Sequence, residues 1–257
     1  MATKAYGSLV FWEGASLWVL GTRPGDAPYP KTDFHSHHAV QVTLALRGGL
    51  TLETRTAHLA TRAAAVAPDT EHAFSGESLV AHLFIDPEGL AGRTLLRDLF
   101  ATDSLVAIPA SRLADLPAQL LRLFEKPRRD ERAFIELGRA FVAKLAPGSE
   151  RDDRPEVRVR KMSAWAAARL DTPVSLADAA EHVGLSSGRA RHLFVEQTGL
   201  PFRTYLVWLR LTRAVELFSA GSSLTDAAHG AGFSDSSHLS RTFRRMFGIS
   251  ADSLRVM

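Results

Sequence analysis

Hydrophobic and polar positions change rhythm along this chain. From residue 6 to about 86 they come as short runs and alternations. Val40-Gln41-Val42-Thr43-Leu44-Ala45-Leu46 runs into Arg47-Gly48-Gly49, and Leu50-Thr51-Leu52-Glu53-Thr54 alternates cleanly after it. That pattern predicts two strands joined as a hairpin. Leu79-Val80-Ala81-His82-Leu83-Phe84-Ile85 reads as another strand, and several short strands with close turns predict a sandwich or barrel. From Gly89 the rhythm turns helical. Leu95, Leu96, Leu99 and Phe100 form one stripe, Pro117 opens a helix with Leu120, Leu123 and Phe124 on one face, and Phe134, Leu137, Phe141 and Leu145 recur at helical spacing. These stripes predict helices that cover the β core.

In the last third the pattern repeats itself. The twelve residues Ser175 to Ser186 (Ser-Leu-Ala-Asp-Ala-Ala-Glu-His-Val-Gly-Leu-Ser) return 48 positions later as Ser223 to Ser234 (Ser-Leu-Thr-Asp-Ala-Ala-His-Gly-Ala-Gly-Phe-Ser). Each copy runs on to a Phe and a Gly, Phe194 with Gly199 and Phe243 with Gly248. Ser175 with Asp178, and Ser223 with Asp226, have the Ser-x-x-Asp spacing that satisfies free backbone N–H groups at a helix start. Ala180 and Ala228 are small enough for two helices to touch, and Gly184 and Gly232 suit a turn that needs positive φ. Ser186 and Ser234 are expected to cap the second helix of each unit. Two complete copies at one offset predict a tandem helix-turn-helix. Between them Thr204 to Ser219 reads as one long helix, with Tyr205, Leu206, Leu209, Val215 and Leu217 apolar.

The second helix of each unit carries chemistry on its outer face. In the first, Ala190, Leu193 and Phe194 point inward, leaving Ser187, Gly188, Arg189, Arg191 and His192 outside. In the second, Leu239, Thr242 and Phe243 point inward, leaving Ser236, Ser237, His238, Ser240 and Arg241. Short donors and forked cations are the side chains that reach base edges in the major groove, and Arg244 and Arg245 beyond them are expected to meet phosphates.

Residues 158–257 resemble the DNA-binding domain of the AraC/XylS family of transcription regulators. The resemblance rests on Ser-Leu-x-Asp-x-Ala, the Gly-Leu-Ser turn, Leu-Phe-x-x-x-x-Gly, the connector Tyr-Leu-x-x-Leu-Arg-Leu-x-Arg-Ala, and Gly-Phe-Ser-Asp-x-Ser-x-x-Ser-Arg-x-Phe. It implies base reading by Gly188, Arg191 and His192 in the first unit and by Ser236, Ser237, Ser240 and Arg241 in the second. Gly188 stands where the family often has a larger residue. Ala251 and Leu254 stand where it usually has Pro and an aromatic.

Charge follows this division. The chain has 257 residues, 46% of them apolar, and a net charge of +3. Residues 158–257 hold 13 Lys or Arg against 8 Asp or Glu, so the basic excess lies with the repeat, as phosphate binding requires. Pro147-Gly148-Ser149-Glu150-Arg151-Asp152-Asp153-Arg154-Pro155 is polar and framed by prolines, and reads as part of a linker over 147–157. There is no Cys, which excludes disulfides, thiolate metal sites and thiol nucleophiles. No run of 18 apolar residues and no signal-like start appear, so a cytoplasmic protein is expected.

The remaining chemistry lies in His35-Ser36-His37-His38-Ala39-Val40-Gln41, where an extended chain puts His35, His37 and Gln41 on one face and His38 on the other. With Ala67-Pro68-Asp69-Thr70-Glu71-His72 it resembles the two motifs of the cupin barrel. That resemblance places His35, His37, Gln41 and His72 as ligand-binding residues and as the ligands of a divalent transition metal. Gln41 replaces the usual carboxylate, and Asp69 the usual turn Gly. Three histidines and an amide suit a divalent metal, the polar lining of an organic-ligand pocket, or a structural cluster.

The expected fold is α+β and multidomain: a cupin-like ligand-sensing and dimerisation domain over 1–146 with accessory helices, the linker, and an all-α tandem helix-turn-helix domain over 158–257. The expected function is that of a DNA-binding transcription regulator that senses a small molecule or metal ion. Double-stranded DNA, the effector, RNA polymerase and a second copy of the chain are the expected partners. The alternative is a metal-dependent cupin oxygenase or isomerase fused to a DNA-binding domain.

Overall fold

The computed structural model describes residues 5–22, 31–147 and 156–256. The chain forms two compact units, Met1–Arg151 together with Phe243–Met257, and Asp152–Thr242. Most of the expected linker, residues 148–155, lies outside the described residues.

The first unit is built on strands β1 (Ala5–Trp12), β2 (Ala15–Gly21), β3 (Val40–Arg47), β4 (Leu50–Glu53), β5 (His58–Thr61), β6 (Ala63–Val66), β7 (Ala73–Gly76), β8 (Leu79–Ile85) and, after helix α1 (Leu90–Leu99), β9 (Leu105–Ala107). Helices α2 (Ala110–Leu113), α3 (Leu116–Phe124) and α4 (Glu131–Leu145) follow. One sheet has the order β10-β1-β2-β8-β3-β6-β9, where β10 (Leu254–Val256) pairs parallel to β1, and a smaller sheet has the order β5-β4-β7.

The expected hairpin between the strands ending at Leu46 and beginning at Leu50 does not form. β3 pairs with β8 and β6, whereas β4 pairs with β5 and β7 in the other sheet. The turn explains the difference. Gly48 has φ +73°, and its missing Cβ would lie 2.5 Å from the Glu77 carboxylate, which also accepts from Gly49 N–H at 2.9 Å. The two glycines carry the chain around Glu77 into the second sheet. β3 itself is buried from Val40 to Leu46, as a strand with neighbours on both edges and cover on both faces must be.

The helical stripes read from the sequence do cover the β core. Leu95, Leu120, Leu123, Phe134, Phe141 and Leu145 share one apolar cluster with Val40, Val42, Leu44 and Leu83. Leu96, Leu99, Phe100, Phe124 and Leu137 are half-buried at its margin.

The second unit comprises α5 (Val157–Ala167), α6 (Leu176–His182), α7 (Ser187–Thr198), α8 (Phe202–Ser219), α9 (Leu224–Gly230) and the first half of α10 (Ser236–Phe247). The expected long connector is α8. Phe194 stands edge-on to Phe202 at 5.1 Å and to Tyr205 at 5.2 Å, locking α7 to α8. Such pairs add about 0.5–1.5 kcal/mol beyond burial.

The first helix and turn of each copy carry the same hydrogen bonds. Ser175 Oγ accepts from Asp178 N–H at 3.2 Å, and Ser223 Oγ from Asp226 N–H at 3.1 Å. Leu185 N–H donates to Ala180 O and Phe233 N–H to Ala228 O, both at 2.9 Å, the six-to-one bond that closes a helix end around a left-handed residue. Gly184 and Gly232 are those residues, with φ +69° and +77°. Ala180 and Ala228 are fully buried. One cap differs from expectation. Ser186 caps α7 through Arg189 N–H, but Asp235, not Ser234, caps α10, its Oδ1 accepting from His238 N–H at 2.7 Å. α10 starts one position later after its turn than α7 does, so the capping site falls on the Asp. No helix among the described residues is long and apolar enough to cross a membrane.

Candidate functional site

Two sites emerge, one on the paired helices and one inside the sheet unit. On α7, Ala190, Leu193 and Phe194 are buried, while Ser187, Gly188, Arg189, Arg191 and His192 are exposed. On α10, Leu239, Thr242 and Phe243 are buried. Ser237, His238 and Arg241 are exposed there, and Ser236 and Ser240 are half-buried. Every residue singled out for base reading therefore sits on an outer or marginal helix surface. Of the two arginines expected at phosphates, both are exposed, and Arg244 pairs with Asp33 at 2.8 Å. Backbone N–H donation from His238 holds the Asp235 carboxyl below the usual carboxylate range, so the cap stays ionised beside the start of α10.

Gly188 is a gap in this surface. A Cβ there would meet nothing within 4 Å. Gly188→Ala is expected to raise the stability of the helical unit by about 0.5 kcal/mol, because Gly costs backbone entropy in a helix and no neighbour resists the methyl group. A shift of the denaturant midpoint to lower concentration would contradict this.

The second site gathers the four residues expected to act together. The nitrogen ligand atoms of His35, His37 and His72 lie within 4.8 Å of one another. His35 and His72 also face each other as a β-bridge, with ring centroids 4.3 Å apart. Gln41 Oε1 lies 2.8 Å from His37 Nε2 and 3.2 Å from His72 Nε2, while the Gln41 amide nitrogen donates to Thr43 Oγ1 at 2.8 Å. His38 points elsewhere, as alternation predicts. Its two nitrogens lie 2.7 Å from Asp69 and 2.7 Å from Glu88. Asp69, standing at the turn-glycine position of the cupin motif, takes φ +58°, a conformation that Asp tolerates better than most residues.

Protonation follows from these surroundings. Burial lowers His35, and lowers His37 well below the ordinary imidazole value with help from His72 and His35. Burial together with His35 takes His72 down to about 3, and burial takes His82, behind the cluster, to about 3. Burial also opposes the charge on His38, but hydrogen bonds to Asp69 and Glu88 raise it to about 9. The cluster is thus neutral at neutral pH while its neighbour is a buried imidazolium.

The tautomers are fixed as well. His35 Nδ1 lies 2.8 Å from Asp33 O, and His72 Nδ1 lies 2.8 Å from Thr70 O. A carbonyl can only accept, so both rings carry their proton on Nδ1 and keep a free lone pair on Nε2. His72 Nε2 then faces Gln41 Oε1 lone pair to lone pair. Backbone carbonyls behind two imidazoles, with one nitrogen of each of the three rings within 4.8 Å of the others, suit a divalent transition metal, and the residues present fit one. Such an ion would act there as a Lewis acid held by His35, His37, His72 and Gln41.

The sequence did not point to the space adjoining the cluster. Trp18, Leu20, Thr32, Phe74, His82, Phe84, Phe247 and Ile249, with His35 and Gln41 of the cluster, line a pocket beside it. β8 is buried on both faces, so no alternation marks His82 and Phe84, and Phe247 arrives from the far end of the chain.

Two helix-turn-helix units on one connector helix, in a chain that also forms a two-sheet β unit, define a tandem helix-turn-helix protein. Residues 179–256 match the family described as a helix-turn-helix domain. The transcriptional activator RhaS of Escherichia fergusonii is 34% identical over 107 residues, covering 41% of this chain and 38% of that protein. RhaS of an Enterobacter species is 34% identical over 112 residues, covering 43% and 39%. The chain thus spans well under half the length of these relatives. Among solved structures, a variant of apo ToxT from Vibrio cholerae superposes with a TM-score of 0.63 at 11% identity, over 95% of this chain and 97% of that one. Wild-type ToxT with an unsaturated fatty acid bound gives 0.59 at 13% identity, over 93% and 94%. These structures share the fold.

Proposed function

We propose that this protein is a transcription regulator that binds duplex DNA through α7 and α10 and takes a divalent transition metal ion between His35, His37, His72 and Gln41. The observation that carries the DNA reading is the duplicated turn. Each copy ends in the same hydrogen-bond closure and leads into a helix whose outer surface holds Arg, His and Ser. The base-reading set is Gly188, Arg191 and His192 on α7, and Ser236, Ser237, Ser240 and Arg241 on α10. Ser187, Arg189, His238, Arg244 and Arg245 are assigned to the flanking contacts. The relatives matched over this region are transcriptional activators, which favours regulation over a fused cupin enzyme. RNA polymerase in the cytoplasm is the partner such a role calls for.

Enrichment of bound duplexes from a random pool at 0.15 M salt tests this. The expected product is a motif with two blocks about 10 base pairs apart. Recovery of the pool's own composition, with no motif, would refute it.

The half-buried Leu96, Leu99, Phe100, Phe124 and Leu137 give α1, α3 and α4 apolar surface for a second copy of the chain, and we assign dimerisation to these helices. Sedimentation should give a dimer at micromolar concentration. A monomer with and without DNA would contradict the assignment.

A further inference from the structure

The last turn of α10 and the residues beyond it are built into the histidine pocket. Phe247 is buried, with its ring 4.9 Å from Trp18, 5.6 Å from Phe84 and 5.9 Å from His37. Gly248 follows with φ +69°, and a Cβ there would lie 2.5 Å from His35 Nδ1 and 2.4 Å from Asp33 O. Its carbonyl accepts from Asp33 N–H at 2.9 Å, and the Asp33 carbonyl accepts from His35 Nδ1–H at 2.8 Å. Arg244 adds a 2.8 Å ion pair to the Asp33 side chain, and Leu254 to Val256 lie in register with Ala5 to Gly7. Asp33 is therefore a joint. One side of it fixes the tautomer and aim of His35, and the other holds the backbone just past α10. With Phe247 and Ile249 in place, about 30 Å³ of cavity remains beside His35 and Gln41, too little for an organic ligand of ordinary size.

We propose that Phe243–Val256 is a latch over the metal site. An ion on His35 holds the ring where Asp33 and Gly248 need it, and the docked segment in return keeps His35 aimed at the ion and shields it from water. Metal binding and docking are then coupled, and by linkage each strengthens the other equally. α10 carries Ser236 to Arg241 at its other end, so the state of the latch reaches the second DNA-reading helix through one continuous helix. The inference rests on reading the histidines as a metal site.

Hydrogen exchange of the full chain with and without Co²⁺, with Co²⁺ binding followed by visible absorption, tests both ideas separately. Wild-type protein is expected to bind Co²⁺ and to exchange its Phe247–Val256 amides at least tenfold more slowly with the ion than without. His72→Ala should abolish both effects. Gly248→Ala should weaken Co²⁺ binding at least tenfold and raise exchange in the segment, with the amides of α6 and α7 unchanged. Co²⁺ binding that leaves exchange of the segment unaltered overturns the latch and spares the metal site. Failure of wild-type protein to bind Co²⁺ overturns both. The wild-type comparison stands even if Gly248→Ala does not fold.

Discussion

Gly232→Ala lowers the stability of the helical unit by about 2–5 kcal/mol, whereas the same change at Gly184 costs about 1 kcal/mol. The two glycines occupy equivalent turns, with equivalent left-handed φ and equivalent hydrogen bonds on either side. Their surroundings differ. At Gly184 a Cβ would meet nothing within 4 Å, so Ala brings only the strain of a positive φ. At Gly232 it would lie 1.9 Å from the Leu170 carbonyl oxygen and 3.0 Å from Arg210 Nε. Backbone cannot swing aside as a side chain can, so the second turn must move off the Leu170 carbonyl, three residues past α5. That displacement is felt at Phe233 and Ala228, both buried behind the turn. Denaturant unfolding followed by far-UV circular dichroism gives the comparison directly. Equal losses for the two variants would mean that the second turn does not pack against Leu170.

Arg191→Ala and Arg241→Ala each weaken binding to the enriched DNA by about 1–3 kcal/mol, roughly five- to 150-fold, and the double variant by about the sum. Both side chains are exposed, so neither substitution removes core packing, and the loss falls on affinity rather than on folding. The two arginines stand on different helices and are expected to read different blocks of the motif. Each single variant should therefore relax preference in one block only. Arg245→Ala provides the contrast, since a phosphate contact weakens all sequences alike and flattens the salt dependence by about one ion. Fluorescence anisotropy at several salt concentrations separates these outcomes. Unchanged affinity in both Arg191→Ala and Arg241→Ala would remove them from the contact surface.

What the sequence made legible was local. The Ser-x-x-Asp caps, the left-handed glycines and the buried Ala180 and Ala228 are set by bonds spanning a few residues, so each copy announces its own geometry. The inward stripes Ala190, Leu193, Phe194 and Leu239, Thr242, Phe243 follow from helical period alone. The His35, His37, Gln41 face and its partner His72 were visible through alternation and through likeness to the cupin motifs. The illegible parts depend on partners far along the chain. Gly48 and Gly49 look like a hairpin turn until Glu77 is seen to stand inside it. Asp235 displaces Ser234 as a cap because the second helix starts one residue later. Leu254 to Val256 are too few to read as a strand, and pair only because β1 offers an edge. Phe247 shows helical period like any core residue, and nothing near it says that its neighbours will be Trp18, Phe84 and a histidine.

The central claim is that α7 and α10 read one duplex in adjacent segments of the major groove. Hydroxyl-radical footprinting of the full chain on its enriched DNA tests it most directly. The account predicts two protected patches on one face of the duplex, centred about 34 Å apart, with Arg191→Ala weakening one patch and Arg241→Ala the other. A single patch that both variants weaken alike would contradict it.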